Sequence, residues 1–245
     1  MTALPTRKLE AFRYADIEAL ASVWSELARP KRVEIAAQQN VQQIWMPSGE
    51  DVDVRRVAMT VGAGASVQIF ALNDAARYGR IELDVTLHDG ADFSLDAAMI
   101  GCGQSTLEIV THVRHAEPNA TSRQNVRSVL GGKAMGSYLG KVAVARDAQH
   151  TDSEQSVKAM LLDRGATANA KPELEIYADD VKCAHGATVG ELDANQLFYA
   201  AARGLPPANA KALLLEGFVG GLWDALGEDS EIALRARGAL RRLTQ

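Results

Sequence analysis

The stretch Ile81-Glu82-Leu83-Asp84-Val85-Thr86-Leu87-His88 alternates apolar and polar residues without a fault. A strand turns successive side chains to opposite faces, so Ile81, Leu83, Val85 and Leu87 share one face and the segment reads as a half-buried strand. The alternation returns at Leu107, Ile109, Thr111 and Val113, at Leu174 and Ile176, and more briefly at Val142 and Val144. A turn signature recurs between these runs: Gly64-Ala-Ser-Val67, Gly90-Ala-Asp-Phe93, Asn119-Ala-Thr-Ser122, Gly165-Ala-Thr-Ala168 and Gly186-Ala-Thr-Val189. Each begins with a residue able to adopt φ > 0 and continues through Ala and a small polar residue back into strand. Their starts lie 26, 29, 46 and 21 positions apart, and the interval of 46 has room for one more turn. Repeats of this length, made only of strands and turns, fit a coil of rungs in which each rung buries its inner face against its neighbours. A β-sandwich is the competing architecture, since alternation and glycine turns occur there too. The sequence thus predicts a mainly β protein with a parallel β-helix core over residues 33–190.

Helical spacing flanks this core. Leu9, Phe12, Ile17, Leu20, Val23, Trp24 and Leu27 fall at helical intervals and Pro30 ends the run, so residues 1–32 read as a short helical segment. After Gly190, Asp193 with Gln196 resembles a capping box, Gly204 closes that helix and Pro206-Pro207 opens the next. That helix is apolar round much of its circumference, and Gly217, Gly220 and Gly221 leave flat ground for close approach. Ser230 starts a last helix, whose Arg235, Arg237, Arg241 and Arg242 read as a solvated basic face. Residues 191–245 therefore form a C-terminal helical segment.

Composition narrows the function. The 245 residues are 47% apolar, enough for a packed core, and the net charge of −5 provides no global positive field for phosphate backbones. Nucleic acid is not an expected partner. No apolar leader and no run of about 18 apolar residues appears, so the expected compartment is the cytoplasm, with no membrane contact. Cys102 and Cys183 are the only cysteines, which excludes a disulfide framework and a four-cysteine metal site. No phosphate loop, nucleophile elbow or HExxH motif occurs, and Gly131-Gly-Lys133 reads as a turn. His112 and His115, three apart on a strand, point to opposite faces, while His88 and His150 read as turn or loop residues.

One stretch gathers reactive groups: Glu175-Ile-Tyr-Ala-Asp-Asp-Val-Lys-Cys-Ala-His-Gly-Ala-Thr-Val-Gly190. Continuing the alternation from Leu174 and Ile176 would bury Asp180 and Lys182, so the pattern is expected to break at a turn near Asp179-Asp180. Beyond it Cys183 and His185 share a face, about 7 Å apart at Cα. A thiol and an imidazole suit iron or zinc, but two ligands make half a site. A buried free cysteine beside a satisfied histidine is the alternative reading.

This stretch, continued through Asp193-Ala-Asn-Gln-Leu-Phe-Tyr-Ala-Ala-Ala-Arg-Gly-Leu205, closely resembles the SufB/SufD family of iron–sulfur cluster assembly proteins. Its Lys-Cys-x-His-Gly-Ala-Thr form looks like the D member. His150-Thr-Asp-Ser-Glu-Gln-Ser-Val-Lys-Ala-Met-Leu-Leu-Asp163, Ala170-Lys-Pro-Glu-Leu174 and the opening Leu4-Pro-Thr-Arg-Lys-Leu-Glu-Ala-Phe-Arg-Tyr14 are similar too. The resemblance implies a right-handed parallel β-helix in a non-catalytic scaffold subunit. Such a subunit pairs with a SufB-like paralogue through the end of the helix and holds a SufC-like ABC-type ATPase through its C-terminal helices. It also implies a transient iron–sulfur cluster at the partner interface, with none stably bound by this chain alone. His185 is then a metal ligand shared with the partner subunit, and Cys183 a weaker candidate. Leu197, Phe198, Leu215, Phe218, Leu222 and Trp223 exceed what so short a segment can bury alone, and they are the expected ATPase-docking residues. A second copy of the chain could occupy the strand edge as a homodimer when the subunit is isolated. The segment before the β region, about 32 residues, is shorter than is usual in D members. The alternative function is a β-helix enzyme acting on acidic polysaccharide with Asp179 and Asp180 as its carboxylates, although adjacent strand residues face opposite ways.

Overall fold

In a computed structural model, which describes residues 3–244, twelve strands form two six-stranded sheets. The first contains β1 (Lys31–Ile35), β3 (Val52–Val61), β5 (Tyr78–Leu87), β7 (Thr106–His115), β9 (Met135–Val144) and β11 (Thr167–Ile176), in that order. The second contains β2 (Asn40–Trp45), β4 (Ser66–Asn73), β6 (Asp92–Gly101), β8 (Thr121–Leu130), β10 (Asp152–Leu161) and β12 (Lys182–Gly190). Every pairing is parallel and the chain alternates between sheets, which makes a two-walled β-solenoid. The sandwich alternative is thereby excluded, because its strands would pair largely antiparallel.

The inward columns follow directly from the alternation. Leu83 pairs in register with Val57 and Thr111, and Val85 with Met59 and Val113. These residues are buried, as are Phe93, Leu95 and Ala97 opposite them. Along one edge the chain turns through left-handed residues Gln38, Gly64, Gly90, Asn119 and His150, spaced 26, 26, 29 and 31 apart. His150 is the turn that the 46-residue interval had room for. Two members of the sequence series do not belong to it. Gly165 lies on the opposite edge, between β10 and β11, and Gly186-Ala-Thr runs in extended conformation inside β12. The signature records a small residue before a strand, and strands enter from both edges.

The N-terminal segment lies on the outer face of the first sheet. A short 3-10 turn (Glu10–Phe12) precedes α1 (Ile17–Leu27), which Asp16 caps by accepting from Ala19 N at 3.0 Å. Beneath it lies a network of buried charge. Arg80 donates to Glu108 Oε2 (3.0 Å) and Glu82 Oε2 (2.8 Å), Tyr78 donates to Glu108 Oε2 (2.5 Å), and Arg80 also reaches the Ala11 carbonyl (2.8 Å). Arg56 bonds Glu82 and the Leu27 carbonyl, and its guanidinium lies 4.8 Å from the centroid of a Trp24 ring. Burial alone would push the Glu82 carboxyl up, but Arg56 and Arg80 hold it below its ordinary value.

On the other wall, α3 (Pro207–Gly220) and α4 (Glu231–Arg242) pack against the second sheet, while α2 (Ala194–Ala202) buries no residue. Leu215, Val219, Leu222 and Trp223 meet Phe70, Leu72, Ala98, Ile100 and Val129. Covering each such side chain is worth about 1.5–3 kcal/mol. Trp223 Nε1 also donates to the Asp96 carbonyl (3.2 Å). The arginines of α4 are not uniformly solvated as expected: Arg235 donates to both oxygens of Asp74 (3.0 and 3.3 Å), whose side chain is 4% exposed, and Arg242 approaches the same carboxylate. A carboxylate covered by the helix requires a cation from it.

Candidate functional site

The last rung is the site's foundation. β11 and β12 end their sheets, so one edge of each strand has no partner among the described residues. Between them the chain turns through Ala178, Asp179 and Asp180, where the sequence predicts the alternation to break. Asp180 Oδ2 lies 3.0 Å from His150 Nδ1, and the Asp180 carbonyl accepts from His150 N at 2.6 Å. Both carboxylates are exposed on this turn, and that of Asp180 helps close it onto the rung below through His150.

In β12, Cys183 pairs with Ser153 and His185 with Gln155. Ser153 and Gln155 are buried and point into the solenoid, so Cys183 and His185 occupy the next positions of the same inward columns. They share a face as the two-residue spacing requires. Because no further rung covers them, Cys183 is half-buried and His185 is exposed. Burial, and then the charge of Asp152, push the Cys183 thiol up from its ordinary value and favour the protonated form.

Under these two residues the interior stops being apolar. The Tyr138 hydroxyl lies 3.2 Å from Thr111 Oγ1, 3.1 Å from Gln124 Oε1 and 2.9 Å from Gln155 Oε1. Gly140 makes room for it, since a Cβ there would collide with that hydroxyl. In the adjoining column His115 Nε2 lies 2.9 Å from Ser122 Oγ, which is 3.0 Å from Ser153 Oγ. Two polar ladders thus climb from the rung of β7 and β8 to stop beneath Cys183 and His185. Burial holds the His115 imidazole at a pKa of about 4, well below its ordinary value. The ladders escape a strand-by-strand reading, because Ser122, Ser153 and Cys183 become neighbours only through register. The one visible signal is the alternation Ser153, Gln155, Val157, whose polar members occupy core positions.

His112 and His115 do face opposite ways: His115 is buried and His112 lies 3.5 Å from Asp84 on the outer face. Among the described residues no group of three or more His, Cys, Asp or Glu side chains converges to hold a metal ion. No helix among them is long and apolar enough to cross a membrane.

The expected docking residues divide in two. Leu215, Leu222 and Trp223 are buried against the second sheet, because the solenoid wall supplies the cover that the helices lack by themselves. They anchor the segment to that wall. Phe198 is 75% exposed, Leu197 and Phe218 are half-buried, and Tyr199 and Leu213 add exposed apolar surface nearby. A Cβ built at Gly217 or Gly220 would meet nothing within 4 Å, so the flat ground on α3 is uncovered by this chain.

Residues 30–218 match the SufBD core domain of the SUF system for FeS cluster assembly. The chain is 30% identical over 180 residues to an iron–sulfur cluster assembly SufBD family protein of Synechocystis, a match covering 73% of this chain and 40% of that protein. It is 36% identical over 119 residues to the iron–sulfur cluster assembly protein SufD of Escherichia coli, covering 49% of this chain and 28% of that one. To SufD of Bacillus subtilis it is 28% identical over 131 residues, covering 54% and 30%. The matched regions span less than half the length of each of these relatives. The D member is the form that the E. coli and B. subtilis names support, and with more than half of its length matched to the core domain, the chain belongs to the SufBD family of iron–sulfur cluster assembly proteins.

Proposed function

We propose that the chain is a non-catalytic scaffold subunit of an ATP-driven assembly machine, and that the open end of its solenoid pairs with a B-type relative to form the place where the cluster is built. One observation carries this reading. The solenoid ends on two full-length strands with free outer edges, and the column that would otherwise be core presents His185 to the outside there. The cluster is cargo. An exposed imidazole is open to ligate iron, whereas a half-buried thiol whose burial favours the protonated form is the poorer ligand. The remaining ligands come from the partner, and the cluster leaves when assembly is complete.

In this reading an ABC-type ATPase docks on the C-terminal helices through Phe198, Leu197 and Phe218, with Leu213 and Tyr199 beside them. Deleting the whole segment would uncover Phe70, Leu72 and Ile100 and confuse folding with docking. A single charge at an exposed position is the cleaner test. Phe198→Asp should abolish co-purification with the ATPase while leaving the thermal midpoint of the isolated chain unchanged, and retained co-purification would remove α2 from the docking surface. For the pairing half, purification from the native cell should co-elute a second solenoid subunit. Recovery of the chain alone, or only as copies of itself, would refute heteromeric pairing.

A further inference from the structure

A cleft of about 420 Å³ separates α3 from the outer face of the second sheet, lined by Asp96, Asn125, Arg127, Lys158, Phe218 and Leu222 together with Gly217 and Gly221. Arg127 and Lys158 pair in register on β8 and β10, so their stems leave the sheet side by side, about 4.8 Å apart. Among the described residues neither cation lies within ion-pair distance of a carboxylate. Arg127 reaches only two backbone carbonyls, Val126 O (3.2 Å) and Ser156 O (3.3 Å), although it is half-buried and burial lowers its pKa. The one carboxylate in the cleft, Asp96, accepts from Asn125 Nδ2 through Oδ1 at 2.8 Å and acts on Arg127 through its charge, from beyond ion-pair distance. Three other guanidinium groups have carboxylate partners: Arg80 has Glu82 and Glu108, Arg56 has Glu82, and Arg235 has Asp74, while the half-buried Arg55 lies against the Trp45 ring. The half-buried Arg127 has no such ion pair, and it shares one cavity with the exposed ammonium of Lys158.

We infer that this cleft binds a phosphate-bearing small molecule, with Arg127 and Lys158 on the phosphate and the body of the ligand against Phe218 and the open backbone of α3. A guanidinium beside an ammonium supplies several donors to a tetrahedral oxyanion, whose three free oxygens match them better than a single carboxylate would. The cavity is larger than a bare phosphate, and its far wall of Phe218, Leu222 and glycine backbone suits a flat or apolar body. Asp96 and Asn125 lie beside that body as acceptor and donor for a hydroxyl or amine on it.

The glycines allow a test that spares folding. A Cβ at Gly217 meets nothing within 4 Å, so Gly217→Leu starts from open space and adds bulk at the cleft wall. Calorimetric titration of the full chain with inorganic phosphate, AMP and adenosine separates the contributions. AMP should bind, adenosine at least about tenfold more weakly, and Arg127→Gln with Lys158→Gln should weaken AMP by about tenfold or more while the circular dichroism spectrum is unchanged. Gly217→Leu should weaken AMP more than phosphate. AMP binding about tenfold tighter than phosphate would assign a phosphate ester, and equal affinities would assign the free oxyanion; both support the cation pair as the recognition element. No binding of phosphate or AMP by the unmodified chain, or AMP affinity unaltered in the double variant, would overturn the inference.

Discussion

At its N-terminal end the solenoid stops on strands of five and six residues, β1 and β2; at its C-terminal end it stops on strands of ten and nine, β11 and β12. The first end is finished as an edge that must not pair. β1 carries exposed Lys31, Arg32 and Glu34, and the buried Trp45 indole fills the interior behind β2, with the Arg55 guanidinium 5.0 Å from its centroid. Short charged edge strands and a plugged interior block association. The other end differs in length and in its interior, although β11 also carries the charged Lys171, Glu173 and Glu175 and a proline, Pro172. Ile176 and Val189 are exposed on the last rung, Cys183 is half-buried and His185 exposed, and beneath them the core is polar. This difference between the two ends supports the proposal that the open end is the interface.

The comparison predicts that the closed half carries stability and the open rung carries function. The largest effect should come from the charge network under α1. Glu108→Ala leaves Arg80 with fewer counter-charges in a site without solvent, and should cost about 3–5 kcal/mol in denaturant unfolding. A cost below about 1 kcal/mol would show that this wall does not bear the load assigned to it.

The next effect is an acid sensitivity from the polar half of the core. His115 is neutral when folded, at about 4, against about 6.5 when unfolded. The unfolded chain therefore binds the proton first. The contribution is fully present above about pH 6.5 and is lost as pH falls towards 4, by on the order of 2 to 3 kcal/mol. Comparison of His115→Gln with the unmodified chain by urea denaturation at pH 7 and pH 4.5 should show a shallower pH dependence in the variant. Parallel curves would place the acid-sensitive group elsewhere.

His185→Ala should have the smallest effect on stability, within about 0.5 kcal/mol, because nothing packs over the ring. Its effect belongs to function: the complex should assemble and hydrolyse ATP, yet activation of iron–sulfur enzymes in cells should fail, with a milder defect for Cys183→Ala. Full complementation would refute the assignment, and loss of assembly would make the histidine a structural residue.

How much of this was legible in the sequence differs between the same two regions. The alternation at Ile81–Leu87 names its inward residues correctly, because a central rung is covered on both sides and its pattern is unambiguous. The shared face of Cys183 and His185 and the turn at Asp179-Asp180 were also legible, since both depend on spacing alone. Exposure was not, because a residue on a terminal rung has the same local sequence pattern as one in the middle. Nor could the sequence show that Leu215, Leu222 and Trp223 spend their apolar surface on β4, β6 and β8, which lie far away along the chain. The ladder from His115 through Ser122 to Ser153 is a product of register and has no local signature.

The central claim, that the C-terminal rung is the pairing edge, can be read amide by amide. In a parallel strand alternate N–H groups face opposite neighbours, and Tyr177 N and Lys182 N are bonded inward, to Val144 O (3.0 Å) and Thr151 O (2.8 Å). By that alternation the amides of Leu174, Ile176, Cys183, His185 and Ala187 face the open edge. Hydrogen exchange of the chain, alone and with a B-type relative, should show these amides exchanging fast when free and protected on mixing, while Tyr177 and Lys182 change little and β1 and β2 do not change at all. Protection that appears instead on β1 and β2, or complex formation with no new protection at the β12 amides, would contradict the account.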